Sequence, residues 1–276
     1  MILVDISQIA IANIMMSPDI SKNKLDENLI KHMILTSLML LKSKFGKEYG
    51  SLVICCDGKR SWRKDAFEHY KATRKKDKDD SFIDWTTLYA TIENFKRDLK
   101  AFFPYKVIQL DSAEADDVIA ILAKNSQLEK SIIISSDKDF AQLQIYPSIN
   151  QYCPRKKKLI LIKDPKAALT DLVIRGDRGD GVPNIRSDSD TFVNKDKRQA
   201  PINEKFLAKC ALGIPEELTE NYRRNDMLIN FANIPEKVES SIMLAFHEPA
   251  NGSKQTMYNY FIKNQMKNLL LEIGKF

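Results

Sequence analysis

The sequence predicts an α/β protein: a mostly parallel central sheet flanked by helices, followed by a smaller C-terminal helical lobe. Three observations carry this. Short apolar, β-rich runs alternate with longer segments of helical period through about residue 165, and beyond that point the β signal largely disappears. Only nine glycines and ten prolines stand in 276 residues of which 43% are hydrophobic, a composition that excludes a low-complexity or loop-dominated chain. Continuous apolar strands separated by helices indicate parallel pairing covered on both faces. A chain of this length can build a core domain and a smaller lobe, here placed at 1–165 and 166–276.

In chain order, the strand-like runs are Ile2 to Val4, Leu52 to Cys56, Lys106 to Leu110 and Ser131 to Ser135. Between them lie helix-period segments from Leu29 to Leu41, Leu88 to Phe102 and Ala113 to Ala123, and Tyr258 to Ile273 reads as a helix near the end. Residues 59–82 differ. They are crowded with Lys, Arg and Asp, hold few aliphatic side chains and are expected to bury little. Their interleaved Trp62, Phe67, His69 and Tyr70 allow either a solvated loop or a basic, aromatic segment that orders on nucleic acid.

The net charge is +6, from 43 Lys plus Arg against 37 Asp plus Glu, and it is segregated. Basic runs occur at Arg74-Lys75-Lys76 and Arg155-Lys156-Lys157-Lys158, with Lys59 and Arg60 near the second strand, while acids gather at strand ends. Basic surfaces around an acidic centre suit a phosphodiester substrate handled with bound cations. The four cysteines show no C-x-x-C spacing and are expected as reduced thiols. The N-terminus has no basic n-region and carries Asp5 in its apolar stretch, and no apolar run approaches the roughly 18 residues of a membrane span. A cytoplasmic protein is expected.

The main chemical signal is that strand-like runs end in carboxylates: Asp5, Asp57, Asp111, and the pair Asp137 and Asp139. In an open α/β sheet, groups at the carboxyl ends of the strands face one crevice. A single Asp there can be a turn former or helix cap, and Asp111 reads as no more than that. The rest, brought together, would repel one another unless multivalent cations were bound. Oxygen donors favour Mg²⁺ or Mn²⁺, and the three scattered histidines, His32, His69 and His247, offer no zinc set. If the fourth strand stays extended, its period of two puts Asp137 and Asp139 on one side. In Glu114-Ala-Asp116-Asp117, helical spacing pairs Glu114 with Asp117, so periodicity alone does not select Asp116. Asp177 and Asp180 lie in a turn-rich segment that fits either a structural turn or a further pair of ligands. P-loop, G-x-G-x-x-G and H-E-x-x-H motifs are missing.

The order Leu3-Val-Asp5, Cys56-Asp57-Gly, Glu114-Ala-Asp116-Asp117, Ser136-Asp137-Lys-Asp139-Phe and Gly176-Asp177-x-x-Asp180 resembles the acidic motifs of the flap endonuclease (5′-nuclease) family. Trp62-Arg63-Lys-Asp65, the stretch Tyr70-Lys71 to Arg74, and Tyr258-Asn-Tyr-Phe-Ile resemble its phage ribonuclease H branch, so the likeness spans essentially the whole chain. It implies a PIN-like 5′-nuclease fold and a 5′ to 3′ exonuclease and flap endonuclease with ribonuclease H activity, removing primers during phage replication. It implies two Mg²⁺ ions, replaceable by Mn²⁺, held directly or through water by Asp5, Asp57, Glu114, Asp116, Asp137, Asp139, Asp177 and Asp180. Lys71 and Arg74 would hold the scissile phosphate with help from Arg63, and residues 59–82 would form an arch. The substrates would be RNA–DNA hybrids and duplex or flap DNA with 5′ ends. The protein would act as a monomer in an infected bacterial cytoplasm, with a single-stranded-DNA-binding replication protein as a partner. One departure stands out: after the last acid, Val182-Pro-Asn-Ile-Arg-Ser187 lacks the family's glycines, which puts backbone cradling of duplex phosphates in question. Two other readings remain: a topoisomerase-primase-type nuclease domain, which leaves Asp5, Asp57 and Lys71 unexplained, and a non-catalytic scaffold for branched DNA.

Overall fold

In the computed structural model, the described residues are 1–15, 26–74, 84–126 and 129–276. They form a six-stranded sheet in the order β3-β2-β1-β4-β5-β6. The strands are β1 (Ile2–Asp5), β2 (Leu52–Cys56), β3 (Lys106–Gln109), β4 (Ser131–Ile134), β5 (Ile149–Cys153) and β6 (Lys158–Ile160). All neighbouring pairs are parallel except β5 with β6, which closes one edge as an antiparallel hairpin.

The near-pure aliphatic composition of the central strands follows from burial on both faces. Ile2, Val4, Leu52, Ile54, Ile132 and Ile134 point into one core, and the alternate residues Leu3, Val53 and Ile133 into the other. The first core is covered by α1 (Ile6–Met15), α2 (Glu27–Tyr49) and, beyond the short α3 (Arg63–Ala66), α4 (Trp85–Phe102). The second is covered by α5 (Ala115–Asn125) and the 3₁₀ segment Asp139–Ile145. Helix starts follow local capping: the Asp26 side chain accepts the amides of Asn28 and Leu29, and Asp84 accepts that of Thr87.

Beyond residue 165 the chain is helical, with α6 (Pro165–Arg175), α7 (Glu204–Ala211), α8 (Thr219–Ile229), α9 (Glu236–His247), α10 (Lys254–Lys263) and α11 (Lys267–Leu271). These helices do not share one core. Those from α6 to α8 build two small clusters around Val173, Val182, Leu228 and Ile229, and around Ile174, Ile185 and Cys210. Phe231, Val238 and Ile242 pack into the second sheet core, and Met257, Phe261, Leu269 and Phe276 into the first. The expected helix over 258–273 is broken at Gln265, where φ is +56°.

The four cysteines are free and buried. No helix among the described residues is long and apolar enough to cross a membrane.

Candidate active site

The acids of β1 and β2 sit at the carboxyl edge of the sheet because both strands run parallel and end on them. Asp5 closes β1 and accepts the Gln8 amide of the first turn of α1 at 3.1 Å. Asp57 follows β2; one of its oxygens accepts the Ser7 hydroxyl at 2.9 Å and the other the Ala115 amide at the start of α5 at 3.1 Å. Gly58 is needed here, since a Cβ at that position would stand 1.8 Å from the Leu110 carbonyl oxygen.

Glu114 is the N-cap of α5, and its backbone amide donates to the Asp117 carboxylate at 2.9 Å in a capping box. This separates the two candidate aspartates. Asp117 is fully buried (0% exposed) and pairs with the Arg63 guanidinium at 2.8 Å, whereas Asp116 lies in the field of Asp5, Asp137 and Glu114. Burial, together with Asp5 and Asp137, holds the Asp116 carboxyl well above the ordinary range.

The expectation that Asp137 and Asp139 share a side of an extended strand is not met, because β4 ends at Ile134. The Ser135 hydroxyl accepts the Asp137 amide at 3.0 Å, Asp137 Oδ1 accepts the Asp139 amide at 3.0 Å, and Asp139 opens a 3₁₀ turn. Gln151 fastens this bend by donating to the carbonyls of Ser135 and Asp137 at 3.2 and 2.6 Å. Asp177 and Asp180 do occupy a tight turn: Asp177 and Val182 exchange backbone hydrogen bonds at 2.8 Å, and the Asp180 amide donates to Asp177 Oδ1 at 3.1 Å. Gly181, at φ +72°, passes so close to the 69–71 segment that a Cβ would meet the His69 carbonyl at 2.8 Å.

That close approach joins the basic segment to the acids. The Lys71 amide donates to the Asp180 carbonyl at 2.8 Å, and Lys71 itself is held at φ +56°. Its ammonium bonds Glu114 and stands 3.7 Å from Asp180. Arg74 pairs with Asp180 at 2.6 Å, and the Tyr70 hydroxyl reaches both Glu114 at 2.8 Å and Asp180 at 2.6 Å. Burial opposes ionisation of Asp180, but Lys71 and Arg74 outweigh it and hold this carboxyl below its usual range.

Elsewhere burial wins. It pushes Asp5 up to about 7, reinforced by Asp57, and Asp139 up to about 7, reinforced by Asp137, Asp177 and Asp180. The acids thus divide into a side balanced by Lys71, Arg74 and Arg63, and a side around Asp5, Asp57, Asp116 and Asp137 that has no ion pair among the described residues.

Several expectations change. Arg63 is 3% exposed; its Nε donates to the Leu228 carbonyl at 2.7 Å, it pairs with Asp117 and Glu114, and its guanidinium lies over the Trp62 ring, 4.5 Å from the centroid. It is enclosed by its partners and does not present itself to a phosphate. Within residues 59–74, Ser61, Arg63, Phe67 and Tyr70 are buried, the last two against Val173, Val182 and Leu228, contrary to the expectation that this stretch buries little. Lys75, Lys76 and the remainder of the expected arch to residue 82 lie outside the described residues. Lys59 and Arg60 are exposed and pair with Asp111 and Asp65, so Asp111 stands apart from the cluster. Arg155, Lys156 and Lys157 lie in the exposed β5–β6 turn and Lys158 opens β6, at the same sheet edge as Asp137.

The glycine-poor turn after Asp180 is held by side chains. Asn184 Oδ1 accepts from the Arg186 amide and the Ser187 hydroxyl at 3.0 and 2.9 Å, and its Nδ2 donates to the Ala200 carbonyl at 2.6 Å. Spacing gave no sign of Ser7 or Gln151, nor of Gln8, whose side chain accepts the Ser136 amide at 2.9 Å, because each acts through a partner distant in sequence.

A family model described as 5′-3′ exonuclease, N-terminal resolvase-like domain, matches residues 1–168, and one described as T4 RNase H, C terminal, matches 165–276. The chain belongs to the 5′–3′ exonuclease family. It is a 5′ nuclease, and the topoisomerase-primase reading falls away. Ribonuclease H of Enterobacteria phage T4 is 32% identical, over 99% of this chain and 95% of that protein. Flap endonuclease Xni of Shewanella piezotolerans is 29% identical, over 45% of this chain and 49% of its own. The bacteriophage T5 D15 flap endonuclease, solved as a pseudo-enzyme-product complex with DNA and metal ions, shares the fold with a TM-score of 0.60 at 14% identity, covering 96% of this chain and 98% of that one. The T5 5′-exonuclease with bound zinc gives a TM-score of 0.56 at 15% identity, over 96% and 98% of the two chains.

The donor set suits hard divalent cations, being all carboxylate and mutually repulsive. Asp139 Oδ1 is buried with no hydrogen-bond donor among the described residues, as an oxygen reserved for a cation would be. No three of the acids among those residues form a ready-made coordination shell, so cations would draw the set closer.

Proposed function

We propose that this 5′ nuclease depends on two divalent ions, Mg²⁺ with Mn²⁺ able to replace it, and removes RNA primers and adjacent DNA from 5′ ends as well as cutting flaps. One observation carries the reading: carboxylates from β1, β2, the start of α5, the bend after β4 and the 177–180 turn stand in one another's electrostatic field, with Lys71 and Arg74 paired to Glu114 and Asp180 among them. Asp5, Asp57, Asp116 and Asp137 would hold one ion, and Glu114, Asp139, Asp177 and Asp180 the other. Bound there, the pair would activate a water and stabilise the leaving 3′ oxygen.

The chain's own groups do the rest. Ser7 and the Ala115 amide fix the Asp57 carboxylate, and Arg63 and Asp117 fix the start of α5, so that Glu114 and Asp116 keep their directions. Lys71 and Arg74, whose acidic partners would turn to the ions, are left to offset charge building on the phosphate. Exposed Lys59, Arg60 and the 155–158 turn would supply sequence-independent, salt-sensitive affinity for duplex. RNA–DNA hybrid and flap DNA are the proposed substrates, with the protein acting as a monomer in the cytoplasm of an infected cell. A single-stranded-DNA-binding replication protein is proposed as partner from the resemblance alone.

The deciding experiment incubates a 5′-labelled flap and an RNA–DNA hybrid with the protein in Mg²⁺, in Mn²⁺ and in chelator. Short 5′ products in either metal and none in chelator are expected. Tight binding to the flap without cleavage in any metal would favour a non-catalytic scaffold.

A further inference from the structure

Among the described residues, every cation paired with the clustered acids but one comes from the 63–74 segment. The exception is Lys138, which stands between two proposed ligands in Asp137-Lys138-Asp139 and pairs across the cleft with a third, Asp177, at 2.8 Å. Its side chain is 57% exposed while that of Asp177 is 17% exposed, so the ammonium reaches inward from solvent onto a mostly enclosed carboxylate. It is also the cation that counters burial and like charge at Asp139.

We infer that Lys138 is a tethered cation competing with a divalent ion for the Asp139–Asp177 side of the cluster, and so sets the metal concentration at which that side fills. The inference rests on the proposed two-ion reading. Its physical basis is simple: one carboxylate oxygen cannot at once accept a 2.8 Å ion pair and serve a dication free of repulsion, because like charges at such range oppose each other. The long side chain swings out when the dication binds. The Asp5–Asp57–Asp116–Asp137 side has no ion pair among the described residues and meets Lys138 through the field between it and Asp137, so its filling should depend far less on Lys138.

The test is Mn²⁺ titration calorimetry on the parent, Lys138→Met and Lys138→Arg, joined to melting in chelator and in saturating Mn²⁺. Lys138→Met should tighten the weaker class of Mn²⁺ binding by about tenfold, the scale on which one unit charge beside a dication acts in water-like surroundings. The tighter class should move much less, and Lys138→Arg should behave as the parent. The Met variant should melt lower than the parent in chelator and at least as high in Mn²⁺. Two binding classes with unchanged affinities in Lys138→Met, or equal losses of melting temperature in both conditions, would reduce Lys138 to an ordinary surface ion pair and overturn the inference alone. A parent that binds no Mn²⁺ would overturn the two-ion reading together with it.

Discussion

Asp116 and Asp117 are adjacent in sequence, yet their substitution by Asn should change stability in opposite directions. Asp117 is fully buried against Arg63, itself 3% exposed. Breaking a buried pair by removing one partner typically costs ~3–5 kcal/mol, since the other charge is left uncompensated. Glu114 remains 3.3 Å from the guanidinium, and Asn can still accept the Glu114 amide, so the lower end applies, about 3 kcal/mol. At roughly 2–4 °C per kcal/mol for a chain of this size, Asp117→Asn should melt about 10 °C below the parent. Asp116 has no ion pair among the described residues and stands against Asp5 and Asp137, so Asp116→Asn should melt at or above the parent in chelator at about pH 8. Cleavage should run the other way: Asp116→Asn should be inactive, while Asp117→Asn, assayed well below its melting point, should lose at most the roughly 10–100-fold typical of a residue acting through a ligand. Differential scanning fluorimetry in chelator and single-turnover flap cleavage read both quantities. If Asp116→Asn is the destabilised variant and Asp117→Asn the dead one, the placement of α5 relative to the ions is wrong.

Other consequences can be measured separately. Asp137→Asn should abolish cleavage while flap binding in Ca²⁺ holds or tightens, and near-parental turnover in saturating Mg²⁺ would remove Asp137 from the ligand set. Burial raises Asp139 to about 7, so between roughly pH 4 and 7 the unfolded carboxyl has ionised while the folded one keeps its proton; metal-free stability therefore falls with rising pH across that window. Asp139→Asn should escape this, gaining on the parent across the same window in urea unfolding with chelator, and a constant gap would contradict the assignment. Lys71→Ala should lower the single-turnover rate far more than flap affinity, whereas a loss confined to affinity would make Lys71 a binding residue only. Replacing Lys156, Lys157 and Lys158 with Ala should flatten the salt dependence of duplex binding by up to about three phosphate contacts, and an unchanged slope would exclude the β5–β6 turn from the duplex path.

How much was legible follows from what each residue touches. The strands β1, β2 and β4 could be read because Ile, Leu and Val continue through both faces of a buried sheet, in runs too short and too rich in β-branched residues for a buried helix. Strands β5 and β6 were missed: Asn150 and Gln151 break the apolar run, and their amides are spent on Tyr49 and on the bend that carries Asp137. The period-two argument for Asp137 and Asp139 failed for a local reason, since the Ser135 hydroxyl captures the Asp137 amide and turns the chain out of the strand.

The 59–74 segment shows why composition misled at the site itself. Counting aliphatic side chains gave a stretch with little to bury, yet Arg63 and Tyr70 are among its most buried residues. Their burial is supported by charge and hydrogen bonding, which satisfy groups that would otherwise be costly to remove from water. The partners that make it possible, Glu114, Asp117, Asp180 and the Leu228 carbonyl, come from other parts of the chain. No window on the sequence contains both halves of such a pair. The acids and the basic segment are therefore one electrostatic unit: removing the cations would leave Glu114 and Asp180 as exposed to repulsion as Asp5 and Asp116 are, and removing the acids would leave Arg63, Lys71 and Tyr70 without the partners that offset the burial of their polar groups.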